Sequence, residues 1–68
     1  MTAHEYRKAL AHLGLSQLAA ARLLGVNPRT SRRWALGEQN VSETASRFLS
    51  FLIACECSGE QAMAILKL

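Results

Sequence analysis

The sequence predicts an all-α fold: a compact bundle of five short helices with a central helix-turn-helix. Three observations support it. Apolar residues recur at three- and four-residue spacing, and no stretch alternates with the period of two that a half-buried strand needs. Good N-capping residues (Thr2, Ser16, Asn27, Ser42 and Ser58) stand just before each periodic segment. Gly14, Gly25 and Gly37 stand just after three of them, where a helix commonly ends in a left-handed residue.

Taken in order, Thr2 and Glu5 have the spacing of a capping box and open helix one. Tyr6, Ala9, Leu10 and Leu13 follow as one apolar stripe, and Gly14 stops it. Ser16 caps a second helix, "QLAAARLL", which stops at Gly25. Asn27 and Pro28 start a third helix, because proline at the first helical position sacrifices no needed N–H. It runs to Leu36, with Gly37 as its stop and "EQNV" as a loop. Ser42 caps helix four, which extends to Ala54 or Cys55. Ser58 and Gln61 repeat the capping-box spacing and open a short fifth helix over "EQAMAILKL". Without a long linker, repeat or low-complexity tract, residues 1–68 read as one domain.

A 68-residue chain lies near the lower limit for a self-sufficient hydrophobic core, so a disulfide, a metal or a partner subunit is the usual supplement. The only cysteines, Cys55 and Cys57, form a C-x-C pair with no second pair to build a framework. A zinc site needs about four clustered ligands, and His4 and His12 lie far from the cysteines in sequence. The expectation is reduced, half-buried thiols, no metal and no cofactor. "MTAHEYRKAL" is no signal peptide, and "FLIAC" is much too short to span a bilayer. Both fit a reducing, cytoplasmic location. No spacing couples a Ser or Cys nucleophile to a base, and neither paired catalytic carboxylates nor a glycine-rich phosphate loop is present. The chain is therefore not expected to be an enzyme, and no sensor domain suggests a small-molecule ligand.

Charge is unevenly placed. The net charge is +3, but residues 1–40 carry Arg7, Lys8, Arg22, Arg29, Arg32 and Arg33 against only Glu5 and Glu38. Residues 41–68 carry Arg47 and Lys67 against Glu43, Glu56 and Glu60. On a helical wheel with about 100° per residue, Arg29, Arg32 and Arg33 share one sector about 100° wide. Ser31, Trp34 and Ala35 take the opposite side, so Trp34 is read as a core anchor and not as a base-stacking platform. A solvated helix face usually mixes signs; here Arg29 and Arg33 are a like-charge i, i+4 pair with no carboxylate in the helix. Two of the three arginines also sit where the helix macrodipole does not favour cations. Local stability would choose otherwise, which points to a polyanionic partner. His4 and His12 lie off the apolar stripe and are expected to face solvent.

The residues before this helix sharpen that reading. Ala21 stands four before Gly25, and Val26 follows the glycine. A small residue, a sharp turn and an apolar plug join two short helices as in a helix-turn-helix. Residues 15–37, "LSQLAAARLLGVNPRTSRRWALG", closely resemble the helix-turn-helix of the lambda-repressor, Cro and Xre-like family of bacterial and phage transcription regulators. The resemblance extends loosely over 5–55 and rests on Ser16–Gln17, Ala21, Gly25, Val26, Asn27–Pro28, "RRW" and Gly37. Ser31 departs from it, standing where the family usually has an aliphatic side chain. Its hydroxyl is expected to bond a carbonyl one turn earlier, weakening the core locally.

The resemblance implies a recognition helix in the major groove, with Asn27, Pro28, Arg29, Arg32 and Arg33 along the base edges. The arginine fork matches the O6 and N7 acceptors of guanine, and the Pro28 ring could touch a thymine methyl. Thr30 lies on the flank, within reach of a phosphate. Gln17 resembles the family's phosphate clamp at a helix N-terminus, and Gln39 and Asn40 are further phosphate donors.

Helix four and helix five carry more apolar surface than one small chain needs. Ala45, Phe48, Leu49, Leu52 and Ile53 form a core stripe, which Phe51 and Cys55 widen. Helix five adds Ala62, Met63, Ile65, Leu66 and Leu68. An exposed face of that extent usually marks an interface, so Phe51, Cys55, Ile65 and Leu66 are assigned to a homodimer contact within residues 42–68. The alternative is that helix five folds back over helix four. The expected function is a sequence-specific, double-stranded-DNA-binding transcriptional regulator, a small nucleoid-associated repressor or autoregulator binding an inverted repeat as a dimer. The competing reading is an interaction module that uses the same scaffold to recruit an acidic protein.

Overall fold

Each helix starts at its expected cap. A computed structural model describes residues 1–68 as five helices and no strand: α1 (Ala3–Leu13), α2 (Gln17–Leu24), α3 (Pro28–Leu36), α4 (Glu43–Ala54) and α5 (Gly59–Ile65). At α1, the Glu5 N–H donates to Thr2 Oγ1 (3.1 Å) and the Thr2 N–H donates to Glu5 Oε1 (2.7 Å). The Ser58–Gln61 pair repeats this box at α5, with bonds of 2.9 and 3.1 Å. Ser16 Oγ accepts from the Ala19 N–H, Asn27 Oδ1 from the Arg29 N–H, and Ser42 Oγ from the Ala45 N–H. Each bond satisfies a donor that the helix itself leaves free.

All five helices also close alike. The N–H groups of Leu15, Val26, Glu38, Cys57 and Leu68 reach back to the carbonyls of Leu10, Ala21, Arg33, Leu52 and Met63, the long bond of a Schellman turn. That turn ends α5 at Ile65, three residues short of the expected Leu68, because Lys67 takes a left-handed conformation (φ 59°) that no helix continues through.

The helices bury one core, in which Tyr6, Leu10, Leu13, Leu15, Leu23, Trp34, Leu49 and Leu52 are the large members. Tyr6 and Trp34 meet edge to face, their ring centroids 5.6 Å apart and planes at 84°, the arrangement favoured by the ring quadrupoles. α2 and α3, joined by the three residues 25–27, pack against each other, and α1 lies against both α3 and α4. The radius of gyration is 10.7 Å, close to the value of about 11 Å for a compact chain of this length. No single helix is long and apolar enough to cross a membrane.

Two apolar residues assigned to the α4 core stripe, Phe48 and Ile53, are only half-buried; Ala45, Leu49 and Leu52 carry the contact. α5 lies at 108° to α4 and seats its first turn elsewhere. A Cβ on Gly59 would lie 2.4 Å from the Leu15 side chain and 2.9 Å from the Leu13 carbonyl oxygen. Only glycine lets α5 approach the α1–α2 connection this closely. Gly59 and Ala62 are buried, whereas Ile65 and Leu66 stay exposed. Folding back therefore covers one side of α5 and leaves the other open.

Candidate nucleic-acid interface

The orientation of α3 follows from what it buries. Ser31, Trp34 and Ala35 face the core, and Arg29, Arg32 and Arg33 are exposed on the opposite side. No guanidinium of the three has a hydrogen-bond or carboxylate partner; the sole ion pair of the chain joins Arg47 to Glu43 at 2.5 Å, one turn apart on α4. The contrast separates two uses of arginine: Arg47 has the helical i, i+4 acid that an exposed cation usually finds, and the α3 arginines have none. Leu36, 55 % exposed, continues the same sector at the C-terminal end of α3.

The other expected contact residues fall into three groups. Asn27 and Pro28 are exposed at the start of α3, although Asn27 Oδ1 is already held by the Arg29 N–H (2.8 Å), leaving its amide NH2 free. Thr30 is half-buried on the flank. Gln17 is exposed at the first position of α2 and makes no side-chain bond; with Arg7, Leu10, Leu15 and Ser16 it lines an open depression of about 320 Å³. Gln39 and Asn40 are exposed beyond the C-terminal end of α3. A nine-residue helix is about 14 Å long, so they lie at the opposite end from Asn27 and Pro28.

Ser31 corrects the expectation made for it. Its hydroxyl does not bond within its own helix; it donates across to the Gln17 carbonyl on α2 (2.9 Å). Its oxygen also lies 2.6 Å from the Tyr6 hydroxyl on α1. A serine hydroxyl has one proton, and Gln17 receives it, so the Tyr6 phenol is the donor to Ser31. Burial holds the Tyr6 hydroxyl above its ordinary pKa of 10.0. Arg7 was legible only as part of the basic half. Its guanidinium donates to the Ala35 carbonyl in the last turn of α3, where free carbonyls and the helix dipole both favour a cation. The indole N–H of Trp34 is buried without a partner.

The residues assigned to a dimer contact do meet. Phe51, Cys55, Ile65 and Leu66 line one wholly apolar groove of about 260 Å³ between α4 and α5, with Phe48, Leu52, Cys57 and Ala62. Phe51 is 62 % and Ile65 73 % exposed. Cys55 and Cys57 are free thiols; Cys57 is half-buried as expected, but Cys55 is exposed, because α5 turns away from α4 and leaves their groove open. No three His, Cys, Asp or Glu side chains are grouped to hold a metal ion. His4 and His12 are exposed. The largest depression, about 450 Å³ between α2 and α4, is lined by Leu23, Leu24, Val26, Ser42, Thr44, Ala45 and Phe48 and contains no titratable group. No protein-family model, curated protein or solved structure significantly matches the chain, so a functional reading rests on these surfaces themselves.

Proposed function

We propose that the chain is a sequence-specific double-stranded-DNA-binding regulator that acts as a homodimer on an inverted repeat. The observation that carries this reading is the face of α3: three exposed, unpartnered arginines opposite a buried Ser31–Trp34–Ala35 side. Laid in the major groove, the face offers arginine forks to guanine O6 and N7. Gln17, Thr30, Gln39 and Asn40 supply neutral donors to phosphate oxygens, which fix position without reading sequence. A second copy is the proposed occupant of the α4–α5 groove. Residues 41–68 are close to neutral, with Arg47 and Lys67 set against Glu43, Glu56 and Glu60. Two such faces can meet without strong repulsion.

The test is selection of binding sites from random-sequence duplexes. The expected motif is an inverted repeat with half-site centres about 10 base pairs apart, matching recognition helices about 34–36 Å apart. Replacing Arg29, Arg32 or Arg33 by alanine should cost about 1–3 kcal/mol where a base contact is lost, with helical content unchanged. Ile65→Lys should yield a monomer that binds a full site much more weakly. If no sequence is enriched, and an acidic protein surface is bound instead, the interaction-module reading replaces this one. A wild-type chain that stays monomeric on its selected site would remove the dimer.

A further inference from the structure

Ser31 is the only polar residue buried in the core, with no exposure at all. It joins three helices at one atom: its proton goes to Gln17 O on α2, and its lone pair receives the Tyr6 proton from α1. Those partners are 14 and 25 residues away. An aliphatic side chain would fill the same space but would hold α3 by contact alone, free to slide or roll slightly against α2. A buried O–H···O bond is directional and short-ranged, and leaving its members unpaired in the core is costly. The bond therefore fixes α3 against α2 both along and around its axis.

What it fixes is specific. The accepting carbonyl belongs to Gln17, whose own side chain stands free beside the start of α2. On the far side of α3 from Ser31 stand the arginines. A duplex presents its phosphates and base edges at a set separation, so a phosphate donor and a base reader contribute together only if their spacing is held. We infer that Ser31 is a positioning residue: through its bond to the Gln17 carbonyl it sets the distance between the Gln17 phosphate contact and the base-reading face of α3. The inference rests on the DNA-binding reading of those residues.

The experiment compares Ser31→Thr with Ser31→Val in the full chain. The two replacements add equal bulk and differ in the hydroxyl. Affinity is measured for the selected duplex and for an unrelated one, normalised to the active fraction, alone and combined with Gln17→Ala. Gln17→Ala should weaken both duplexes roughly tenfold, the worth of about one charge-assisted hydrogen bond. Ser31→Val should weaken both by a similar factor and leave the preferred sequence intact. It should leave the salt dependence unaltered too, since a neutral donor releases no counterion. In the Gln17→Ala background it should weaken binding no further. Ser31→Thr should retain wild-type affinity and full sensitivity to Gln17→Ala. If valine fails to fold, Ser31→Ala, which adds no atoms, takes its place in the same comparison. Valine or alanine equal to wild type, or effects that simply add to those of Gln17→Ala, would overturn the positioning role while leaving the interface itself in place. A Gln17→Ala protein that binds as tightly as wild type would instead remove the clamp and the role of Ser31 with it.

Discussion

Residues 1–40 and 41–68 close their helices with the same hydrogen bond and very different residues. α1, α2 and α3 end on Gly14, Gly25 and Gly37, with φ of 72°, 70° and 78°. α4 and α5 end on Glu56 and Lys67, at φ 55° and 59°. Glycine enters the left-handed region freely, while a residue with a Cβ meets a steric cost of about 1–2 kcal/mol there. The second region also leaves Phe51, Ile65, Leu66 and Leu68 exposed, against Met1, Leu18 and Leu36 in the longer first region. The first region is locally consistent at every helix end. The second accepts backbone cost and uncovered apolar surface together.

The largest contrast lies between two aromatic side chains. Trp34 is 2 % exposed and Phe51 62 %. Trp34→Ala should cost about 3–5 kcal/mol, enough to unfold most of a domain this small, as read by loss of the circular-dichroism transition. Phe51→Ala should shift monomer stability by no more than about 0.5 kcal/mol. Its effect should fall on self-association, measured by sedimentation. A large loss of monomer stability would show that Phe51 serves its own core.

Next comes Gly59→Ala. The added methyl would collide with Leu15 and the Leu13 carbonyl, so a destabilisation of about 1–3 kcal/mol is expected from overpacking. Amide exchange should rise first in α5, because only that helix must lift away. A uniform rise would mean that α5 is integral to the whole bundle.

Smaller and of opposite sign are the exchanges at helix ends. A Cβ on Gly25 meets nothing within 4 Å, so Gly25→Ala should register conformational cost alone, about 1–2 kcal/mol. Glu56→Gly removes that cost but frees the unfolded chain, so a net gain of at most about 1 kcal/mol is expected. Urea denaturation of both variants measures the asymmetry between the two regions directly.

The smallest effect is one of pH. The folded pKa of Tyr6 is raised above 10.0 by burial, so the folded state holds the phenolic proton more tightly. The resulting stability is complete below pH 10.0 and is lost as pH rises through the higher folded value. Because the chain has one tyrosine, tyrosinate absorbance follows this single group, and Tyr6→Phe should lack that component of alkaline destabilisation.

Sequence legibility tracked the range of the interaction. Caps, glycine stops and the facing of α3 are settled within one or two turns, and the predicted helices α1 to α4 stand where those signals put them. Ser31 was misread because its partners lie on other helices; a serine within a helix shows only its own carbonyls to a local reading. Gly59 gave no signal, since its need for glycine depends on where Leu13 and Leu15 come to rest. Arg7 likewise depends on the end of α3 arriving beside α1. The apolar surplus near the C-terminus was legible as quantity, and the structure gathers Phe51, Cys55, Ile65 and Leu66 from it into one groove.

The packing of Tyr6 on Trp34 has an optical consequence. They are the only tyrosine and tryptophan of the chain, they belong to α1 and α3, and their rings are 5.6 Å apart. At that range excitation of the phenol passes almost wholly to the indole. The folded protein therefore emits as a tryptophan protein, and tyrosine emission emerges only when α1 and α3 separate. Without any label, the ratio of the two emissions reports whether the helix carrying the cationic face is seated.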